Sequence, residues 1–229
     1  GAGIGAALVA HPGVGMISFT GGTATGRAIG RVAGERIVPV ALELGGKSPH
    51  VVFADADIEH AVAAVAAGIF GSSGQSCVAG SRLLVEESVY DEVVSRLVER
   101  AKRIVVAAPD AKGVEVGPLA SFHHRDRVSA FVERARAEGG RILCGGAAPE
   151  GAEYAAGAYY LPTIIDGLPY DAVSCQEEAF GPVLVVLSFK DEADLVEKAN
   201  GTDFGLACGI WTESFKKAWR IGRALDAGS

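Results

Sequence analysis

Three stretches of this chain carry residue types that do chemistry. The first is Gly71-Ser72-Ser73-Gly74-Gln75-Ser76-Cys77, a cysteine at the end of a glycine- and serine-rich loop. A thiol is a strong nucleophile only as thiolate, so a reactive cysteine needs surroundings that favour an anion and a base within reach. Backbone N–H groups of such a loop can favour the anion. The second stretch, VPVALELGGKSP, holds Glu43, and a partly buried carboxylate can serve as that base. The third is FTGGTATG at 19–26. Glycines between a strand and a helix let the backbone approach a ligand, and the helix N-terminus offers N–H groups to a phosphate.

Each stretch also has a plainer reading. The glycines of FTGGTATG could form only a tight strand-to-helix turn, and glycine spacing alone is a weak signal. Alternation along its strand sets Glu43 opposite Val38, Val40, Leu42 and Leu44, so it could simply face water. Against this, its own face carries Pro39 and Ala41, and Gly45-Gly46 follow at once, as expected at the end of a buried strand beside bare backbone. Cysteines are among the most buried residues, and Cys144, Cys175 and Cys208 fit that reading in apolar surroundings. Cys77 differs in sitting in a polar loop. The five histidines have no metal-ligand spacing and most read as surface residues, so no metal site is expected. Glu177-Glu178 could be a solvated turn.

The elements that must position these residues follow from periodicity. Val14–Thr20 reads as a buried strand, Thr23–Gly34 as a helix and Ile37–Leu44 as a second strand. Asp55 or Asp57 can cap a helix whose apolar side carries Ile58, Val62, Val65 and Ile69. It leads into the Cys77 loop and a strand from Arg82 to Val85. Helices follow over Val89–Val106 and Phe122–Glu138, the latter closed by Gly139-Gly140, with a strand over Arg141–Cys144. After a glycine- and alanine-rich loop come strands over Tyr160–Ile165 and Val183–Phe189. A helix over Asp191–Ala199, a strand over Leu206–Trp211 and a helix over Ser214–Leu225 complete the chain. Alternating strands and helices imply an α/β fold, a mostly parallel twisted sheet with flanking helices.

Composition narrows the classes. Apolar residues make up 49% of the 229 and charged residues 21%, the balance of a globular protein. A net charge of −7 speaks against nucleic acid as a partner. No apolar run approaches the ~20 residues of a membrane-spanning helix, and the opening GAGIGAALVA lacks the basic leader of a signal peptide, so no membrane partner is expected. Four widely spaced cysteines fit a reducing, cytoplasmic setting. Both ends read as cut: no initiator Met opens the chain, and Asp226-Ala227-Gly228-Ser229 reads as a glycine cap on the last helix.

In order along the chain stand FTGGTATG, ELGGKSP, GSSGQSC, VGPL at 116–119, QEEAFGPV at 176–183 and NGTDFGLACGIWT at 200–212. This series resembles the NAD(P)-dependent aldehyde dehydrogenase superfamily over nearly the whole chain. The resemblance implies that residues 1–44 end a Rossmann-like NAD(P)-binding domain and that 45–229 form most of a catalytic domain. It implies that Cys77 attacks the aldehyde carbonyl and that Glu43 activates the water that hydrolyses the resulting thioester. Gly21 and Gly26 match the glycines around the cofactor-binding helix, and Gly22 stands where a serine is commoner. Leu44 and Gly45 lie where the chain passes the nicotinamide. Glu178 would hold its ribose, Phe180 would pack near its ring, and Lys47 would be structural. NAD or NADP is the implied cofactor, a small aldehyde the substrate, and a homodimer or homotetramer the assembly of the full-length parent. An asparagine oxyanion donor and a ribose-binding lysine of the family would lie upstream of Gly1, which puts the activity of this piece alone in question. Two other readings stay open: a cysteine hydrolase or thioesterase pairing Cys77 with a histidine, and a non-catalytic fragment.

Overall fold

The computed structural model describes residues 2–229. The chain divides into two compact units, Gly1–Gly45 and Gly46–Ser229.

The first unit holds α1 (Ala2–Ala10), β1 (Ile17–Thr20), α2 (Thr23–Arg36) and β2 (Val40–Glu43). The helix Ala2–Ala10 has so little amphipathic pattern that periodicity does not mark it. The strands pair in parallel, Ile17 opposite Val40 and Thr20 opposite Glu43. Ile29 and Ala33 of α2 pack on Ile17, with Val9, Val14, Phe19, Val38 and Leu42 around them. The second strand starts three residues later than expected because Ile37 caps α2. It adopts the left-handed conformation (φ 55°) and donates its N–H to the carbonyls of Ala33 and Gly34. Nor is β2 the buried strand expected: Val40, Ala41 and Glu43 are all exposed. Among the described residues, β2 pairs with β1 alone.

The second unit is built on a six-stranded sheet in the order β5-β6-β7-β4-β3-β8. Its strands are β3 (Pro49–Val52), β4 (Arg82–Glu86), β5 (Arg141–Cys144), β6 (Thr163–Asp166), β7 (Val183–Phe189) and β8 (Gly209–Trp211). All neighbours are parallel except β5 and β6. The helices are α3 (Ile58–Phe70), α4 (Tyr90–Lys102), α5 (Phe122–Ala137), the single turn α6 (Val173–Gln176), α7 (Glu192–Asn200) and α8 (Phe215–Gly222). Successive strand residues point to opposite faces. Thus Val51, Leu84 and Val185 pack with Val132 of α5 and Leu195 of α7, while Val52, Leu83, Val85 and Val186 pack with Val65 of α3 and Leu97 of α4. The α/β class and mostly parallel sheet are as expected. Among the described residues, no helix is long and apolar enough to cross a membrane.

Several boundaries differ for local reasons. Asp57, not Asp55, caps α3, accepting from the His60 N–H at 3.1 Å. Pro49 concealed β3, yet proline is tolerated as the first residue of a strand. Pro162 has no N–H to give a ladder, and β6 begins only after it. The last helix ends at Gly222 with Arg223 in right-handed conformation, so Gly228 is not its cap. The tail runs back along the segment before β8 instead: the Gly228 N–H donates to the Leu206 carbonyl and the Cys208 N–H to that of Ser229.

Candidate active site

The motifs of the second unit meet where four neighbouring parallel strands begin. Gly46 and Lys47 enter β3, the Cys77 loop enters β4, Glu178–Gly181 enter β7 and Leu206 precedes β8. After α3 the chain passes through Ser72 (φ 51°), Ser73 (φ 56°) and Gly74 (φ 69°), all left-handed. Two serines in that region cost about 1–2 kcal/mol each, so their neighbours must hold them there. The Ser73 hydroxyl donates to the Gly117 carbonyl at 2.9 Å, and the Gln75 side-chain oxygen accepts from the Ala120 N–H at 2.9 Å. VGPL is thereby the buttress of the cysteine loop.

Two glycines are required by close backbone approach. A Cβ on Gly74 would run into the Gly181 carbonyl, joining the cysteine loop to AFGPV backbone to backbone. A Cβ on Gly46 would run into the carbonyl of Cys77 itself. The Gly46 N–H donates to Glu178 Oε1 at 3.1 Å. Three motifs distant in sequence thus share one small volume: ELGGKSP, GSSGQSC and QEEAFGPV. Cys77 is partly exposed, and its N–H donates to no protein acceptor among the described residues.

Burial pushes the Glu178 carboxyl up from the usual glutamate range, opposed by the Gly46 amide and the charge of Lys47. The other three thiols are all pushed up by burial, Cys175 to about 11. Of these only Cys175 is fully buried; Cys144 and Cys208 are half-buried, short of the full burial expected. Phe180 is half-exposed and left-handed (φ 52°). Its carbonyl accepts from His124 Nε2 at 2.7 Å, and the two rings meet edge to face at 6.1 Å. Nothing in the sequence singles out His124 from the other histidines except its place at the start of α5. No histidine hydrogen-bonds to Cys77 among the described residues: His60 pairs with Asp57, and His50 packs against Gly68, Gly80 and Gly209.

Arg82 braces this edge from below. It is 2% exposed and has no carboxylate partner among the described residues; instead it donates to the carbonyls of Lys47 (2.8 Å), Lys198 (2.9 Å) and Ala199 (2.6 Å). A guanidinium at the C-terminus of α7 meets the negative end of the helix dipole. In the sequence Arg82 marks only the first residue of a strand.

In the first unit, Gly21 donates its N–H to the Glu43 carbonyl at 3.0 Å, tying the turn after β1 to the end of β2. Gly22 is the N-cap of α2 without a side-chain cap, and a Cβ there would meet nothing within 4 Å. A Cβ on Gly26 would press on the Leu44 side chain, so α2 sits close over the end of β2. The helix N-terminus is therefore bare and has room beside it, which suits a phosphate. The Glu43 side chain is exposed, as the plainer of its two readings has it, and Gly45 ends the unit.

The aldehyde dehydrogenase family model matches residues 1–229. The chain is 47% identical over 226 residues to the (Z)-2-((N-methylformamido)methylene)-5-hydroxybutyrolactone dehydrogenase of Acinetobacter baylyi, covering 98% of this chain and 45% of that protein. It is 43% identical to the betaine aldehyde dehydrogenase of Bacillus subtilis, covering 100% and 47%. Among solved structures, HpcC from Thermus thermophilus superposes with a TM-score of 0.95 at 45% identity, covering 98% of this chain and 44% of that one. PnpE in complex with nicotinamide adenine dinucleotide also superposes with a TM-score of 0.95, at 40% identity, covering 98% and 46%. The chain spans about half the length of the curated relatives it matches. With the family matched from end to end, this chain belongs to the aldehyde dehydrogenase family.

Proposed function

We propose that the protein oxidises an aldehyde to a carboxylic acid with NAD or NADP, through a thioester on Cys77. The convergence of Gly46, Glu178 and the AFGPV backbone on the Cys77 loop carries this reading. Residues 1–44 act as the end of the dinucleotide-binding domain and 45–229 as the thiol-bearing domain. The relatives' names and the dinucleotide bound to PnpE support the cofactor class, and in this chain the bare N-terminus of α2 and the carboxylate of Glu178 fit a phosphate and a ribose. The bound nicotinamide would supply the hydride acceptor.

The Cys77 thiolate adds to the aldehyde carbon, and the Cys77 N–H, free of protein acceptors, donates to the oxyanion that forms. Collapse of that oxyanion expels hydride and leaves the acyl group on sulfur. Glu43 then takes a proton from water, which releases the acid and returns the thiolate. Gly21, Gly22, Gly26, Leu44 and Gly45 would line the cofactor's path, Glu178 would accept from its ribose, and Phe180 would lie near its nicotinamide. The wide, irregular spacing of the four cysteines supports a reducing, cytoplasmic setting. Glu43→Gln should leave a burst of reduced cofactor and slow the steady state by about 100-fold or more. Loss of the burst with the steady state would remove Glu43 from deacylation, and a full burst in Cys77→Ala would remove the thiol.

A further inference from the structure

Lys47 is a buried cation that this chemistry leaves without a task. It is 2% exposed, and its Nζ makes no hydrogen bond among the described residues. The ammonium lies 4.9 Å from the centre of the Phe131 ring, and the Arg134 guanidinium stands 5.1 Å from the same ring. The charged and titratable groups facing it are Arg82 of β4, Arg134 of α5, Cys175 of α6 and Glu178. Two of these are cations. The third is a thiol pushed up to about 11, which stays neutral at ordinary pH. Glu178 is therefore the anion Lys47 faces.

A buried ammonium near the Arg82 and Arg134 guanidinium groups, with no protein acceptor for its Nζ among the described residues, is costly, and an apolar side chain would fit such a place better. Its neighbourhood offers a reason for the charge. The N–H of Gly46, the residue before Lys47, holds one Glu178 oxygen, and the Lys47 carbonyl is itself held by Arg82. Burial works against ionisation of Glu178, and Lys47 is one of the two groups opposing that effect.

We propose that Lys47 is a positioning residue whose ammonium keeps Glu178 ionised and seated on the Gly46 amide, so that its second oxygen accepts from a ribose hydroxyl of the dinucleotide. The inference rests on the reading that Glu178 holds the cofactor ribose. Burial and Arg82 push Lys47 down to about 7, so its charge fades as pH rises through neutrality. Cofactor binding should weaken with it.

The test compares Lys47→Met, Lys47→Arg and Glu178→Gln in the full-length enzyme, measuring KM for NAD across pH together with Tm. Lys47→Met should raise KM roughly fivefold near neutral pH, shift the acid limb of 1/KM to higher pH and abolish its alkaline decline. Its Tm should hold or rise, because a buried cation has been replaced by an apolar chain. Lys47→Arg, whatever its Tm, should keep the acid limb in place because it keeps the charge. An unchanged KM and acid limb in Lys47→Met, beside a raised KM in Glu178→Gln, would overturn the inference alone. A fall in Tm with no movement of the limb would make Lys47 merely structural. An unchanged KM in Glu178→Gln would overturn the ribose reading itself.

Discussion

Replacing Gly46 by alanine tests how closely the site is built. The added methyl would enter the space of the Cys77 carbonyl, with the Leu206 Cβ and Ser48 Oγ each 3.4 Å away and unable to offer an escape. A carbonyl oxygen cannot turn aside without its whole peptide. Restoring an ordinary van der Waals separation therefore moves the Cys77 peptide, or Gly46 and the Glu178 oxygen bound to it, by about 1 Å. Overpacking of this kind costs about 1–3 kcal/mol, which in a unit of this size lowers Tm by roughly 2–4 °C per kcal/mol. The effect on chemistry should be larger, since a 1 Å displacement of a reacting group can cost about 100-fold in rate. The assay is the rate of the cofactor-reduction burst, with iodoacetamide labelling of Cys77 to show that the thiol stays accessible. Gly22→Ser is the matched control, because a side chain there meets open space; its Tm should move by less than about 0.5 kcal/mol in equivalent stability. A burst in Gly46→Ala within a few fold of the unaltered enzyme would refute the claim that this glycine sets the position of the nucleophile.

Brief iodoacetamide treatment followed by mass spectrometry should find label first on Cys77, because burial pushes the thiols of Cys144, Cys175 and Cys208 up and leaves less thiolate on each. First label on any of those three would break the assignment. Burial also pushes His50 down, so the folded state binds fewer protons than the unfolded chain below the free-histidine value of about 6.5. Its share of stability is complete above that pH and declines as pH falls; His50→Asn should flatten the fall of Tm between about pH 6.5 and 5. An undiminished slope in that variant would assign the acid sensitivity elsewhere.

How far the sequence discloses this site depends on whether a feature is local. Arg141–Cys144 and Val183–Phe189 form strands over the residues periodicity marks. Caps read equally well where one side chain does the work, as at Asp57. The exposure of Glu43 was not legible, because a strand's own composition does not say how many neighbours it has. The buttresses of the cysteine loop were not legible either. Gly46 and Glu178 are 132 residues apart, and neither shows in sequence that one will hold the other. A glycine shows that a close approach is possible but does not name what approaches, so the meeting of Gly74 with Gly181 is knowable only from the fold.

The placement of the motifs also explains why the plain glycine-turn rule would have misdirected a search in the second unit. In open parallel sheets, ligands usually gather at the carboxyl ends of strands, where helix N-termini offer positive dipole ends. Here the motifs stand where β7, β4, β3 and β8 begin, so α3 and α7, which precede β4 and β8, end there and present carbonyls, while α5 begins beside Phe180. Such an edge is a poor place for a thiolate unless the negative dipole ends are answered. Arg82 answers one, its guanidinium taking the carbonyls of Lys198 and Ala199 at the end of α7. The left-handed run Ser72–Gly74 breaks the end of α3 before Cys77 is reached. Lys47 adds a second buried positive charge at the same edge. Two buried basic side chains, Arg82 and Lys47, set beside these helix carbonyls fit the anionic chemistry proposed above for this end of the parallel sheet.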